Sequence, residues 1–129
     1  MAGFSDYLED KVLDHVFGGV AYTAPTKHVA LYTVAPTDTG GGTEVTGGSY
    51  ARQTSTFTVS GTSPTTATSA AAVEYPTATA DYGTVVAVGI MDALTSGNLL
   101  AYANLDTSKV VSNGDVFRFD AGDLDITLA

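Results

Sequence analysis

Thr84-Val85-Val86-Ala87-Val88-Gly89-Ile90-Met91 is the stretch that decides the fold, because it is apolar throughout after its first residue. Val and Ile dominate it, and β-branched side chains fit a pleated strand better than a helix. In a strand with one face in solvent, apolar and polar residues alternate, whereas a strand covered on both faces has a continuous run of apolar residues. We therefore predict a central strand here, covered on both faces either within the core or at an interface.

Six further short runs rich in β-branched or aromatic residues surround this strand: Val29–Val34, Tyr50–Ser60, Ala70–Tyr75, Leu99–Ala103, Val116–Phe119 and Leu124–Leu128. Apolar and polar residues alternate most clearly in Ser55–Val59 and Leu124–Leu128, as in strands with one face in solvent. Turn residues such as Asn113-Gly114 separate the runs. At 129 residues the chain has the length of one domain. The sequence predicts a single mostly β domain over residues 1–129, an antiparallel, jelly-roll-like β-sandwich of about seven to eight strands.

A short amphipathic helix is predicted at the N-terminus, over residues 5–17. Its apolar residues recur at helical spacing, at Phe4, Leu8, Val12 and Val16. Acidic residues occupy the first turns, where negative charge suits the helix dipole, and Gly18-Gly19 supplies a stop. A helix of about a dozen residues is marginal alone in water, so its apolar stripe must dock on this domain or on a neighbour. The helix is therefore a candidate assembly element.

The longest connector is a glycine-rich loop over residues 36–49 that contains five glycines. It has few groups able to pack, so it is predicted to be exposed and mobile unless a partner orders it. No Gly-Lys-Ser/Thr ends it, so it lacks the key residues of a phosphate-binding loop. We expect this loop either to be flexible or to form a contact with a partner.

Composition excludes several classes of partner. Fourteen acidic residues against five basic ones give a formal net charge of -9, and a field of that sign repels nucleic acid and anionic lipid. Solubility is the simpler explanation of the acidity itself. The chain has no cysteine, which rules out disulfides and thiolate metal sites. With no long apolar run and no basic leader, it is predicted to be made and kept in a cytoplasm.

We expect no enzyme activity, no catalytic residue, no cofactor and no metal. No motif ties His15 or His28 to a nucleophile, and no Gly-x-Ser-x-Gly occurs. Arg52 and Arg118 are expected to pair with carboxylates locally or across an interface. The densest acidic cluster is interpreted as a solvated face, because its spacing fits no EF-hand, with a weak calcium site as the alternative; its members are Asp115, Asp120, Asp123 and Asp125.

A series of segments in order along nearly the whole chain points to a family: Phe4-Ser5-Asp6-Tyr7-Leu8-Glu9-Asp10-Lys11, Val29-Ala30-Leu31-Tyr32-Thr33, Gly42-Thr43-Glu44-Val45, Ser49-Tyr50-Ala51-Arg52-Gln53, Ala72-Val73-Glu74-Tyr75-Pro76, Gly89-Ile90-Met91-Asp92-Ala93 and Gly97-Asn98-Leu99-Leu100. With these segments the chain resembles small virion structural proteins of tailed bacteriophages. That family is labelled tail-fibre or minor structural proteins, and some members look like head-decoration or cement proteins. The resemblance implies a virion component, assembled in the host bacterial cytoplasm.

Two functions remain open at this point. The favoured one is a capsid decoration or cement protein, which would bind the major capsid protein and neighbouring copies of itself as a dimer or trimer. Its negative charge fits a surface kept away from packaged DNA. The alternative is a tail-fibre or baseplate module that contacts a host glycan, with tyrosines such as Tyr22, Tyr50 or Tyr82 stacking on sugar rings.

The helix and the glycine-rich loop are expected to make the contacts with partners. The candidate interface residues are Phe4, Tyr7, Leu8, Val12, Gly41, Gly42, Glu44, Tyr50 and Arg52. On this hypothesis Leu8→Asp leaves a folded domain that no longer decorates heads.

Overall fold

The computed structural model describes residues 3–62 and 64–128 of the chain. In chain order the elements are β1 (Gly3–Phe4), α1 (Asp6–Val16), β2 (Lys27–Val34), β3 (Thr43–Glu44), β4 (Gln53–Ser55), β5 (Phe57–Ser60), β6 (Thr65–Ser69), β7 (Val73–Glu74), β8 (Gly83–Met91), β9 (Leu99–Val111), β10 (Arg118–Phe119) and β11 (Asp125–Leu128). Every strand pairing is antiparallel. The prediction of a mostly β, antiparallel fold with one short N-terminal helix is confirmed.

The largest sheet has the strand order β1-β9-β8-β2-β3, and β4 also pairs with β2. β8 lies between β9 and β2, in register with Val88 opposite Leu31 on one side and Ala103 on the other. From Ala87 to Met91 every residue of β8 is buried. The prediction of a central strand covered on both faces is therefore confirmed.

Two smaller sheets, β10-β7 and β11-β6-β5, complete the pairing. Their side chains join one face of the large sheet in the main core, whose members include Val29, Leu31, Val85, Val88, Leu100, Val73, Tyr75, Phe117, Phe119 and Leu124. Tyr75 is 1% exposed, and its hydroxyl donates to the carbonyl of Val29 at 2.7 Å. This bond satisfies the buried hydroxyl and ties the connector after β7 to the large sheet.

The opposite face of the large sheet holds a second, smaller apolar cluster of Ala30, Tyr32, Ala87, Met91 and Leu99. Gly89 makes room for it, because a Cβ at that position would lie 2.7 Å from Cε1 of Tyr32. The Tyr32 hydroxyl donates to the sulfur of Met91 at 3.6 Å. This face forms the floor of the cavity described below.

Helix α1 begins and ends where the sequence predicts. Ser5 is the N-cap and accepts a hydrogen bond from the backbone N–H of Leu8 at 3.2 Å. Phe17 is the C-cap, and Gly19 takes a positive φ of 71° just beyond it. Among the described residues, no helix is long and apolar enough to cross a membrane.

The strands differ from the prediction in number and extent, since the described residues hold eleven strands rather than seven or eight. β9 runs on to Val111, well past the predicted end at Ala103, because pairing with β8 sustains a polar segment that has no apolar pattern. β6 was missed for the same reason, as its threonines pair with β5 and β11. Val59 is 67% exposed, so the predicted apolar face of the Ser55–Val59 segment does not extend that far. The jelly-roll arrangement stays a prediction.

Candidate functional site

The N-terminus of α1 and the glycine-rich loop meet over the face of the large sheet that carries Tyr32, Met91 and Leu99. The backbone N–H of Asp6 donates to the carbonyl of Asp38 at 2.8 Å, and the Tyr102 hydroxyl donates to the Asp38 carboxylate. Ser5 anchors the helix start to β9: its N–H donates to the Leu100 carbonyl at 2.8 Å and its hydroxyl to the Leu99 carbonyl. Two segments predicted as separate contact elements therefore form one continuous surface.

A half-open cavity of about 470 Å³ lies between these segments. Its floor is Tyr32, Met91 and Leu99, and its walls are residues 5–7, 38–41 and 97–98. Within the described part of the chain, none of the lining side chains is a Lys, Arg or His. The cavity thus combines an apolar floor with carboxylate and hydroxyl walls, and the local charge is negative.

The wall at residues 97–98 belongs to a tight turn after β8. Asn98 donates from its backbone N–H to Asp92 Oδ1 at 2.7 Å and from its side-chain amide to Oδ2 at 3.0 Å. Ser96 and Gly97 both have positive φ, a backbone conformation typical of tight turns. A Cβ at Gly97 would lie 2.5 Å from Asp92 Oδ1, so the turn requires glycine there. This wall is held in place before any ligand arrives.

A charged cluster of Glu44, Tyr50 and Arg52 fastens the other end of the glycine-rich loop. Nε and one terminal nitrogen of Arg52 donate to the two carboxylate oxygens of Glu44, both at 2.8 Å. The other terminal nitrogen donates to the carbonyls of Ala93 and Ser96 at 2.9 and 2.7 Å. The Tyr50 hydroxyl donates to Glu44 Oε2 at 2.6 Å and accepts from the Leu31 N–H at 3.0 Å. Four segments converge on this cluster: β2, β3, the segment around residue 52 and the turn after β8.

The protonation of the cluster follows from its surroundings. Burial alone would raise the pKa of Glu44, but the hydrogen bonds from Arg52 and Tyr50 outweigh burial, and the pKa lies below its ordinary value. Burial, followed by the hydrogen bond to the Glu44 carboxylate, raises the pKa of Tyr50 far above its ordinary value. Glu44 is therefore ionised and Tyr50 neutral at neutral pH, with the carboxylate accepting from both neighbours.

The cluster corrects the prediction of a mobile loop over residues 36–49. Val45 is 3% exposed and belongs to the main core, and Thr43–Glu44 pairs with β2 as a strand. Gly42 has a φ of 75°, and a Cβ there would lie 2.6 Å from the Val34 carbonyl. The loop is exposed at its glycines but is fixed by one core residue and one ion pair, neither of which needs a partner.

The C-terminal end of α1 and the residues just after it present apolar side chains to solvent. Leu13, Val16, Phe17 and Val20 are 58, 61, 82 and 56% exposed, and we call these four residues the helix-end patch. The other side of the helix packs on the domain, because Tyr7 and Leu8 contact the main core. Of the predicted stripe, Phe4, Leu8 and Val12 are half-buried within the chain, whereas Val16 belongs to the exposed patch.

One protein family matches the sequence, the family described as Podophage GP4 fiber I protein gp80, over residues 3–127. The chain belongs to this family. No curated protein matches the chain. Membership in the gp80 fibre family confirms the resemblance to phage virion structural proteins and makes the chain a bacteriophage virion structural protein.

In this member of the gp80 fibre family, some of the predicted interface residues lie on or just before the helix, and the others lie at the two ends of the glycine-rich loop. Phe4 pairs with Ala101 of β9, while Tyr7 and Gly41 line the cavity. Arg52 is 8% exposed and its donors are occupied within the chain. Arg52 and Arg118 do pair with carboxylates locally, as predicted. Contact of any of these residues with another subunit stays a prediction.

Of the tyrosines named as sugar platforms, Tyr82 is buried, whereas Tyr22 and Tyr50 are partly buried. Tyr82 is 5% exposed, and its ring meets that of Tyr50 edge-on at 5.8 Å between centroids. Tyr50 also stacks on Tyr75 at 6.0 Å. Burial raises the pKa of Tyr22, which lies near Tyr7 and Asp92. Tyr7, a predicted interface residue, and Tyr32 line the cavity, and Tyr102 borders it through its hydrogen bond to Asp38. None of the three was predicted as a sugar platform, because sequence pattern does not show which tyrosines lie beside a cavity.

The acidic cluster near the C-terminus stabilises turns. Asp115 accepts from the Ser112 N–H at 2.9 Å, and Asp123 accepts from the Asp120 N–H at 2.9 Å. Asp120 pairs with Arg118 at 2.9 Å. In residues 3–62 and 64–128, no three acidic or histidine side chains are grouped as metal ligands. The hydrogen bonds of these aspartates account for their positions.

Proposed function

We propose that the chain is a fibre-associated structural subunit of a podophage virion, which attaches to neighbouring copies of itself through the helix-end patch. The observation that carries the proposal is the patch itself: four apolar side chains, each more than half exposed, at one end of a helix whose other side packs on the core. A cluster of exposed apolar groups marks a contact surface far more often than a single exposed apolar group does. The description of the family as fibre proteins supports the fibre location.

The charge distribution favours a second copy as the occupant of the patch. Copies with a net charge of -9 repel one another, so they can approach only where acidic side chains are sparse. The acids of α1 lie mostly in its first turns, with Asp6 and Glu9 at the N-terminal end. Lys11, Asp14 and His15 lie on the half of the helix that leads to the patch, so that half carries one acid beside two basic residues. Two patches can therefore meet with their acidic ends apart.

The size of the patch sets the expected strength of the contact. A stable pairwise interface buries about 800 Å² on each partner, and four side chains supply only part of that area. We expect isolated copies to associate weakly and assembled copies to be held by several contacts at once. Such a subunit remains dispersed until a growing structure presents many partners.

A second candidate is decoration of the head exterior through the major capsid protein. The net charge of -9 favours it, because a strongly acidic protein is repelled from packaged DNA. The description of the family as fibre proteins supports the fibre location, which we therefore propose first although the sequence favoured decoration. In both candidates the role is structural and not catalytic.

The experiment that separates the candidates is localisation on purified virions, by antibody-gold labelling combined with copy number by quantitative mass spectrometry against the major capsid protein. Gold on tail fibres with few copies per particle is expected. Gold over the head with a copy number near that of the capsid protein would establish decoration instead.

The patch is tested by Phe17→Asp, which places a charge at its most exposed side chain. We expect the variant to fold but to be lost from virions when it replaces the wild type. The matched control is Val110→Asp, because Val110 is 69% exposed on β9, away from the helix. Leu8→Asp is unsuitable, since Leu8 packs on the core. Normal incorporation of Phe17→Asp would remove the patch from the proposal.

A further inference from the structure

We propose that the cavity between the N-terminus of α1 and the glycine-rich loop binds a neutral saccharide of one or two rings. The inference rests on the proposed fibre function, because a fibre is the part of a virion that meets a host surface. It assigns the binding to tyrosines and carboxylates other than those the sequence suggested.

The cavity has the size and composition of a small-molecule site. Its volume of about 470 Å³ falls within the range of about 300–1000 Å³ found for ligand pockets. Met91, Leu99 and Tyr32 close the bottom of the cavity; they are 7, 7 and 5% exposed, so they shape the cavity and offer a sugar little apolar surface. Tyr7 adds a half-buried ring at the wall, with an apolar body and a polar tip.

The walls supply acceptors suited to hydroxyl groups. Asp6 and Asp38 both line the cavity, and an ionised carboxylate accepts stronger hydrogen bonds than a neutral oxygen. Tyr102 donates to Oδ1 of Asp38, which leaves Oδ2 for a ligand. That hydrogen bond raises the pKa of Tyr102, so its hydroxyl keeps its proton and holds the carboxylate in place. A sugar has many hydroxyl donors in a fixed arrangement and matches such acceptors.

Charge selects the class of ligand. Carboxylates line the cavity, and the lining contains no basic side chain among the described residues. Phosphorylated, sulfated or uronic sugars would meet repulsion there without a compensating cation. Neutral sugars keep the favourable hydrogen bonds and avoid that repulsion.

The site is rigid in advance of binding. The Asp6 N–H bond to the Asp38 carbonyl fixes one wall, and the two Asn98 bonds to Asp92 fix the opposite one. Because few groups need to be ordered when a ligand enters, little binding free energy is lost to entropy.

The test is a titration of the full-length, isotope-labelled protein with methyl glycosides of glucose, galactose, mannose and N-acetylglucosamine, followed by amide NMR shifts. Glucuronate is the anionic comparator and tetralysine the basic-peptide comparator. We expect saturable shifts at Gly40, Gly41 and Asn98 with at least one neutral glycoside, and weaker binding of glucuronate.

Two variants locate the contacts. Asp38→Asn retains an acceptor for Tyr102 but removes the charge, and Tyr7→Ala removes the ring at the wall; each should weaken binding about tenfold or more. Asp106→Asn, an exposed acid outside the cavity, is the matched control and should bind normally. Unchanged melting curves for Asp38→Asn separate lost contact from lost fold.

Three outcomes overturn the proposal: no saturable shift with any of the four glycosides, binding of glucuronate or tetralysine at the same amides with equal or higher affinity, or equal weakening by Asp106→Asn. The titration uses purified protein and so decides the saccharide proposal alone. Gold labelling of virions decides the fibre proposal alone, and failure of one is therefore distinguishable from failure of the other.

Discussion

Replacement of Arg52 by alanine should strongly destabilise the domain. Arg52 donates four hydrogen bonds, two to the Glu44 carboxylate and two to the carbonyls of Ala93 and Ser96. Alanine removes all four donated bonds at once, which leaves two carbonyls without their partner and the Glu44 carboxylate with the Tyr50 hydroxyl but no cation. The strand β3, the turn after β8 and the segment around residue 52 would lose their common attachment.

The magnitude follows from the burial of the pair. Removing one member of a buried ion pair costs about 3–5 kcal/mol. The Arg52 side chain is 7% exposed, but that of Glu44 is 22% exposed and can recover some hydration. We therefore expect the lower end, about 3 kcal/mol. For a domain of this size about 4 °C is lost per kcal/mol, so the Tm should fall by about 12 °C.

The assay is urea unfolding of wild type and variant, followed by far-ultraviolet circular dichroism at constant pH, together with thermal melts. The matched control is Arg118→Ala, because Arg118 also pairs with two carboxylates but its side chain is 50% exposed. Exposed ion pairs contribute little, so the control should melt close to wild type. Equal losses for the two variants would refute the view that burial, and not the number of ion pairs, gives Arg52 its effect.

Two further predictions concern the same loop. Gly42→Ala should destabilise the domain by about 2–3 kcal/mol, because its Cβ would lie 2.6 Å from the Val34 carbonyl at a φ of 75°. The control is Gly41→Ala, which has a φ of 79° and open space and should cost about 1 kcal/mol in the same urea assay. Equal costs for the two variants would contradict the steric account. Because the pKa of Glu44 is lowered in the folded state, its contribution is present above the unfolded pKa of about 4.3 and is lost as the pH falls through the folded value. The difference in unfolding free energy between wild type and Glu44→Gln should therefore shrink below about pH 4, and a difference independent of pH would contradict an ionised Glu44.

Local signals in the sequence predicted the helix and the central strand well. The bounds of α1 depend on a cap, an acidic first turn and a glycine stop, all within a few residues of one another. The burial of β8 follows from an unbroken apolar run. Each of these features is fixed by neighbours in sequence, which is why it could be predicted from sequence alone.

The loop over residues 36–49 was mispredicted because its anchors are distant. Val45 is a single apolar residue among glycines and threonines, and nothing local indicates that it reaches the core. Glu44 finds Arg52 eight residues later, and Arg52 in turn finds carbonyls more than forty residues away. A composition rich in glycine predicts mobility only when such contacts are absent.

The cavity was not predicted, although several of its residues were named. Tyr7 and Gly41 were assigned to separate contact elements, and Tyr32 and Met91 were assigned to strands. Their convergence depends on strand order, which brings β2, β8 and β9 side by side. Strand order is a property of tertiary pairing that one sequence does not reveal.

The register of the large sheet has a consequence for how the chain folds during synthesis. His28 of β2 pairs with Met91 of β8, about sixty residues later, and Gly3 of β1 pairs with Tyr102. At a ribosomal rate of about 5–20 residues per second, β2 waits roughly 3–12 s for its partner. During that time Val29–Tyr32, buried in the final fold, can pair with β3 and β4, but its edge toward β8 remains open to other nascent chains. The acidic excess of the chain then acts before any fold exists, since mutual repulsion keeps growing chains apart until β8 emerges.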